Sequence, residues 1–463
     1  MENKNLWLLS EERPKREVIA NILTKFAKDN KFACFIDTIR ILPILENGKF
    51  SFLYEVVGFR CNKIKRVFIK CVSGFSSFVD FLIFYQESQP TQADIPLYAI
   101  EETKTDDKES RNTGVYQRSS KFVSVDYFYP GIKKIMLYNL RIEQKVVPTS
   151  TYIFGTRLLL TLGVEILGKK LDDKIFKPFT SVNEIIELKK IMRKAPTGNV
   201  PILIEKSGNK ITISGRLYKS GSLSHDPNIG ALSSICAVIR KLGWKNDIVI
   251  TEHGLSQNHL QAGNKFIKIA NRLNIKIDGL NVPVAKEKNS YWKYETEGEK
   301  LGTIFIHLVV ENFTEGYSIF ENHAGCEKGY FITKEGKHIP LEKYSDRDAY
   351  KKGDKSKIIS IPDLILIDFG RTEIINVEGK KYQFRQMGID NLKNFGDVEE
   401  TYIKKYYPKF KITRTVVLYG SKENKIVEIE VGFLLNENGD LILGIKAPEL
   451  FKEAIKNLID FWS

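Results

Sequence analysis

The chain has 463 residues, 42% of them hydrophobic and 28% charged, a composition that excludes a disordered polymer and allows two to four domains. No stretch approaches the roughly 20 uninterrupted apolar residues of a membrane span, and no apolar leader follows Met1, so a cytoplasmic chain with no membrane partner is expected. The net charge is +14, and residues 151–300 hold most of it, with 24 Lys and Arg against 14 Asp and Glu; this suits a polyanionic partner, though a lysine-rich chain is also simply soluble.

Along the chain, residues 17–28 predict an amphipathic helix, and 51–58, 66–72, 78–85 and 97–102 predict strands. A polar stretch at 103–114 precedes a helix from Val115 to about Tyr127, which Pro130-Gly131 stops, and 133–139 returns as a strand. In the middle, 156–167 and 182–194 read as helices. A hairpin turns at Ser207-Gly208-Asn209, 230–244 is a buried helix and 247–252 a strand. The last third gives an apolar helix at 302–313, strands at 362–368 and 373–379, a helical stretch, and a strand at 414–420. The expected class is mixed α/β (α+β), in three parts: 1–150, a basic region at 151–300, and 301–463.

The five cysteines are scattered, with no Cys-x-x-Cys pair, which argues against a disulfide framework or a zinc site. The histidines, among them His225, His253 and His259, form no metal-ligand spacing, and no Walker-type phosphate loop is present.

Two constellations carry chemistry. In the first, Asp80 lies in one predicted strand, and Glu102 and Lys104 end another. Residues i and i+2 of a strand face one side, so Glu102 and Lys104 point together, and a neighbouring strand can bring Asp80 beside Glu102. Two carboxylates and the Thr103 carbonyl suit Mg²⁺, which prefers hard oxygen ligands and keeps waters. The lysine suits a phosphate oxygen or an attacking water. Such a Glu/Lys alternation also occurs on solvated strand edges. In the second, Pro362-Asp363 opens one strand and Glu378-Gly379-Lys380 closes the next.

The second pattern resembles the PD-(D/E)XK nuclease superfamily, home of most type II restriction enzymes; the first matches it with Val79 in place of the proline. The resemblance implies restriction-endonuclease-like mixed sheets flanked by helices, in two copies, at 1–150 and 301–463. It implies Mg²⁺ on Asp80, Glu102, Asp363 and Glu378, with Lys104 and Lys380 beside the attacked phosphate. A glutamate from a preceding helix often assists in that family: Glu311 is the candidate for the second site and Glu17 a weaker one for the first. In each copy a strand ending Leu-Tyr follows, at Leu137-Tyr138 and Leu418-Tyr419.

Residues suited to phosphates and base edges are Arg111, Asn112, Gln117 and Arg118 after the first constellation, and Lys206, Lys210, Arg216 and Lys219 about the middle hairpin. The expectation is a type II restriction endonuclease cutting double-stranded DNA at a specific sequence, as monomer or homodimer, with a cognate DNA methyltransferase in the same system. The alternatives are a DNA repair or phage-defence nuclease, and a non-catalytic DNA-binding protein.

Overall fold

Trp7, Leu8 and Leu9, buried in succession, make the opening strand β1 (Lys4–Ser10) a core strand. Helix α1 (Arg16–Asn30) buries Val18, Ile19, Ile22, Leu23 and Phe26, and Lys31, at φ 56°, ends it with its N–H on the carbonyls of Ala27 and Lys28. Strands β2 (Cys34–Glu46), β3 (Lys49–Cys61) and β4 (Ile64–Ser73) follow, giving the order β2-β3-β4-β1, antiparallel except for the β4–β1 pair. Pro43 sits where the β2–β3 register slips, since it has no N–H for the ladder. Cys34 and Cys61 are cross-strand partners with Cα atoms 4.2 Å apart, which brings their two sulfurs together. The two lie 27 residues apart in sequence, and only the hairpin register makes them neighbours.

In the computed structural model all residues are described except 1–2, 47–48, 75–77, 104–113, 139–149, 193–201, 216, 220–221, 224–226, 297, 323–329, 342–359, 421–432, 436, 438, 440 and 444–446. Two compact units emerge: Met1–Val72, Gln86–Ser88 and Tyr294–Ser463 form the first, Ser73–Tyr85 and Gln89–Lys293 the second. These units are cut differently from the three segments suggested by charge and motif.

In the second unit, β5 (Phe81–Gln86) pairs antiparallel with β6 (Tyr98–Thr103). Helix α2 (Gly114–Phe128) then crosses to β7 (Lys133–Tyr138), parallel to β6, and α3 (Ser150–Thr161) leads to β8 (Val164–Leu167), parallel to β7. The expected helix over 156–167 is thus split: Gly163, at φ +79°, breaks it, and Val164–Leu167 completes the sheet. After α4 (Val182–Ile191) come β9 (Ile204–Ser207), β10 (Lys210–Ser214) and a short hairpin of β11 (Tyr218–Lys219) and β12 (Ser222–Leu223). Helix α5 (Pro227–Lys241), β13 (Asp247–Thr251), α6 (Lys265–Arg272) and β14 (Ile275–Ile277) complete a second sheet, ordered β14-β13-β10-β9.

The short β15 (Lys293–Tyr294) precedes α7 (Gly298–Phe313), twelve of whose sixteen residues are buried, because it packs on strands and on the C-terminal helix. A six-stranded mixed sheet follows: β16 (Tyr317–Glu321), β19 (Leu364–Asp368), β20 (Glu373–Lys381), β21 (Lys411–Tyr419), β22 (Phe433–Leu435) and β23 (Leu441–Leu443), in that order. The hairpin of β17 (Tyr330–Ile332) and β18 (His338–Pro340) forms its own two-stranded sheet, with Phe331 and Ile339 buried in the same core as Phe320 and Ile365. The β19–β20 and β22–β23 pairs are antiparallel, while β20–β21 and β21–β22 are parallel. Central strands β19 and β20 are buried along most of their length, as expected where helices cover both faces. Helix α7 covers one face. On the other, Leu392, Phe395, Val398, Tyr402 and Ile403 pack on Ile365, Ile367, Val416 and Leu418, each such side chain contributing about 1.5–3 kcal/mol. They come from α8 (Arg385–Leu392) and the short helical turns after it. The chain closes with α9 (Glu449–Trp462). Among the described residues, no helix is long and apolar enough to cross a membrane.

A buried ion cluster explains why the N-terminal segment belongs with the C-terminal one. Arg13 meets Glu311 and Glu321, both at 2.6 Å, and Lys15 lies 3.2 Å from Glu321. Arg13 and Lys15 are both under a tenth exposed, where an unpaired charge would be costly.

Candidate functional site

Register builds the second constellation. Leu364 pairs with Val377, so Asp363, just before β19, stands opposite Glu378 near the end of β20. The Asp363 backbone carbonyl accepts from the Asn322 N–H at 2.7 Å, and its Oδ2 accepts from the Gly379 N–H at 2.9 Å. Lys380 lies two residues beyond Glu378, and its Nζ is 3.0 Å from Glu378 Oε1. That same oxygen accepts from Asn391 Nδ2 of α8 at 2.8 Å. Gly379 is demanded by close packing: a Cβ there would meet Thr303 Cγ2 of α7 at 2.5 Å and the Glu299 carbonyl oxygen at 3.2 Å. At the same end of α7, Glu299 Oε1 accepts from the Lys381 N–H at 3.2 Å.

Burial, and then the adjacent charge of Glu378, push Asp363 up to about 7 against the pull of the Gly379 N–H and Lys380; Glu299 adds to the rise. For Lys380, burial acts to lower the pKa, but Glu378, Asp363 and Glu299 outweigh it and raise it. Lys380 is therefore a fixed cation, suited to a phosphate oxygen and not to the role of a base. Asp363 and Glu378 offer the hard oxygens that Mg²⁺ takes, and two carboxylates with water and substrate phosphate completing the shell is an ordinary Mg²⁺ arrangement. Among the described residues, no group of three His, Cys, Asp or Glu is placed to hold a metal.

Glu311 lies elsewhere. It pairs with Arg13 at 2.6 Å and follows Glu299 by twelve residues on α7, about 18 Å along the axis. The carboxylate that α7 places near Asp363 is Glu299. Because the apolar pattern predicts a helix only from residue 302, Glu299 fell outside it. Glu17 is on α1, where its charge acts on Arg13.

In the second unit the register is the same with one residue's difference from the motif. Phe81 pairs with Ile100, so the residue opposite Asp80 is Glu101. Glu102 contributes its backbone N–H, which donates to Asp80 Oδ2 at 2.6 Å, as Gly379 does to Asp363. Successive side chains on a strand alternate faces, so Glu101 and Glu102 point oppositely. The buried Glu101 carboxylate is 2.8 Å from Lys121 Nζ and 4.0 Å from Arg118 Nε, both on α2; Lys121 also lies 3.8 Å from Asp80. Here the lysine comes from a helix. Lys104 lies outside the described residues, as do Arg111, Asn112 and Arg216. Gln117 is on α2 and Lys219 on β11. Lys206 and Lys210 are exposed on the β9–β10 hairpin, with the Lys206 ammonium 5.3 Å from the centre of the Trp244 ring.

No family model, curated protein or solved structure matches the chain.

Proposed function

We propose that the chain is a magnesium-dependent endonuclease of the PD-(D/E)XK kind that cuts double-stranded DNA, with Asp363, Glu378 and Lys380 at its cutting centre. The observation that carries this reading is the antiparallel register that sets Asp363 opposite Glu378, with Lys380 close beside them, where buried strands emerge. The mixed sheet with α7 over one face and helices over the other supports this reading, and the like-registered β5–β6 pair supports a second copy. Asp363 and Glu378 would hold Mg²⁺, which when bound supplies charge for the phosphate and a more acidic water. Lys380 holds its charge beside Glu378 and can donate to a phosphate oxygen. Asn391 fixes the Glu378 carboxylate, and Glu299 fixes the backbone at Lys381.

Within that reading, the chain acts in the cytoplasm as a type II restriction enzyme at a specific sequence, alongside a methyltransferase that protects the host's own sites. Incubating unmethylated genomic DNA with the chain and Mg²⁺ tests it. Discrete fragments are expected, and Asp363→Asn should slow their formation by at least about 10²–10³-fold. A smear would favour a repair or defence nuclease. Tight binding with intact DNA would leave a DNA-binding protein.

A further inference from the structure

The second unit has a cationic groove outside the proposed cutting centre. On α6, Lys265, Lys268 and Arg272 are spaced three and four apart and so share one face, while Phe266, Ile267, Ile269 and Ala270 are buried. On α2, Arg118, Lys121 and Ser124 share a face by the same spacing. The two rows meet: Arg272 Nη1 is 3.5 Å from Ser124 Oγ, and the charge of Lys121 reaches Lys265. Between them is a recess of about 50 Å³, lined in part by Lys265, Lys268, Lys288 and Ser124. It is roomy enough for waters or a small anion.

The roles within the groove differ. Arg272 is a scaffold: Glu287 takes its guanidinium in two bonds of 2.9 and 2.8 Å, and the Tyr127 ring lies 3.9 Å beneath it. Glu101 is engaged with Lys121. Among the described residues, four cations, Lys265, Lys268, Arg272 and Lys288, line the recess beside one carboxylate, Glu287. Burial first, and then Lys121, push Lys265 down to about 8, against the opposing pull of Glu101.

We propose that the α2–α6 groove of the second unit docks the phosphodiester backbone of duplex DNA, with Lys265 and Lys268 facing the phosphates. The choice of DNA rests on the nuclease reading. The row is a phosphate track and carries no base readout, since lysines at this spacing meet charge and not sequence.

Fluorescence anisotropy of a labelled duplex without divalent metal, over a range of NaCl, tests it. The expected result for Lys265→Ala/Lys268→Ala is about tenfold weaker binding at low salt, and a log K against log salt slope shallower by about 2. Lys265→Arg/Lys268→Arg should restore the slope. Should the double alanine variant fail to fold, Lys268→Gln alone should lower the slope by about 1. An unchanged slope, or no binding by the unaltered chain, overturns the inference. Cleavage with Mg²⁺ is scored separately. A chain that cuts with an unchanged slope loses only this groove; one that shows the slope change and never cuts loses only the nuclease reading.

Discussion

Asp363 carries the largest electrostatic strain in the site. Its folded value of about 7 lies above its ordinary 3.8, so the folded chain binds this proton more tightly than the unfolded chain does. The contribution to stability is therefore fully present below pH about 4 and lost as pH rises through about 7. Asp363→Asn keeps an oxygen for the Gly379 N–H and removes the charge. Without divalent metal it should raise the melting temperature by a few degrees at pH 8 and by less at pH 5.5. Equal shifts at both pH values would contradict the carboxylate pair. Asp363, Glu378 and Lys380 were legible from the sequence because their spacing alone forces them together on paired strands. Glu299 and Asn391 were not, because they arrive from helices distant in sequence. Glu101 was hidden by a one-residue slip: the Glu-x-Lys pattern drew attention to Glu102, and a slip of one moves the carboxylate to the other face of the strand.

At the scale of elements, the close approach of α7 to β20 sets the geometry. Gly379→Ala would press a methyl on Thr303 Cγ2 and the Glu299 carbonyl. It should cost about 1–3 kcal/mol in urea unfolding. Thr303→Ser, which removes the obstructing methyl, should recover most of that loss in the double variant. A neutral Gly379→Ala would mean that the helix does not lie against the strand as described. Strands β19 and β20 were legible because they read as short apolar runs closed by polar residues. Strands β1, β2, β14, β16, β22 and β23 were among those that went unread, and β8 was taken for the end of a helix. A four-residue strand after a helix is decided by its partner, here β7, which local pattern does not contain.

At the scale of the molecule, charge and motif suggest three consecutive segments, whereas packing returns the first seventy-two residues to the last part of the chain. The Arg13, Lys15, Glu311 and Glu321 cluster is one reason, and a pairing across some 300 residues leaves no local trace in the sequence. The mixed α/β class was legible because strand and helix periods alternate throughout. The central claim is that Asp363, Glu378 and Lys380 cut DNA, and the most direct test is conversion of supercoiled plasmid in Mg²⁺ by the unaltered chain and by Lys380→Ala. The unaltered chain should yield linear plasmid, and Lys380→Ala should form it at least about 10²-fold more slowly or stop at nicked circles. Linear product at an undiminished rate from Lys380→Ala would contradict the assignment of the cutting centre.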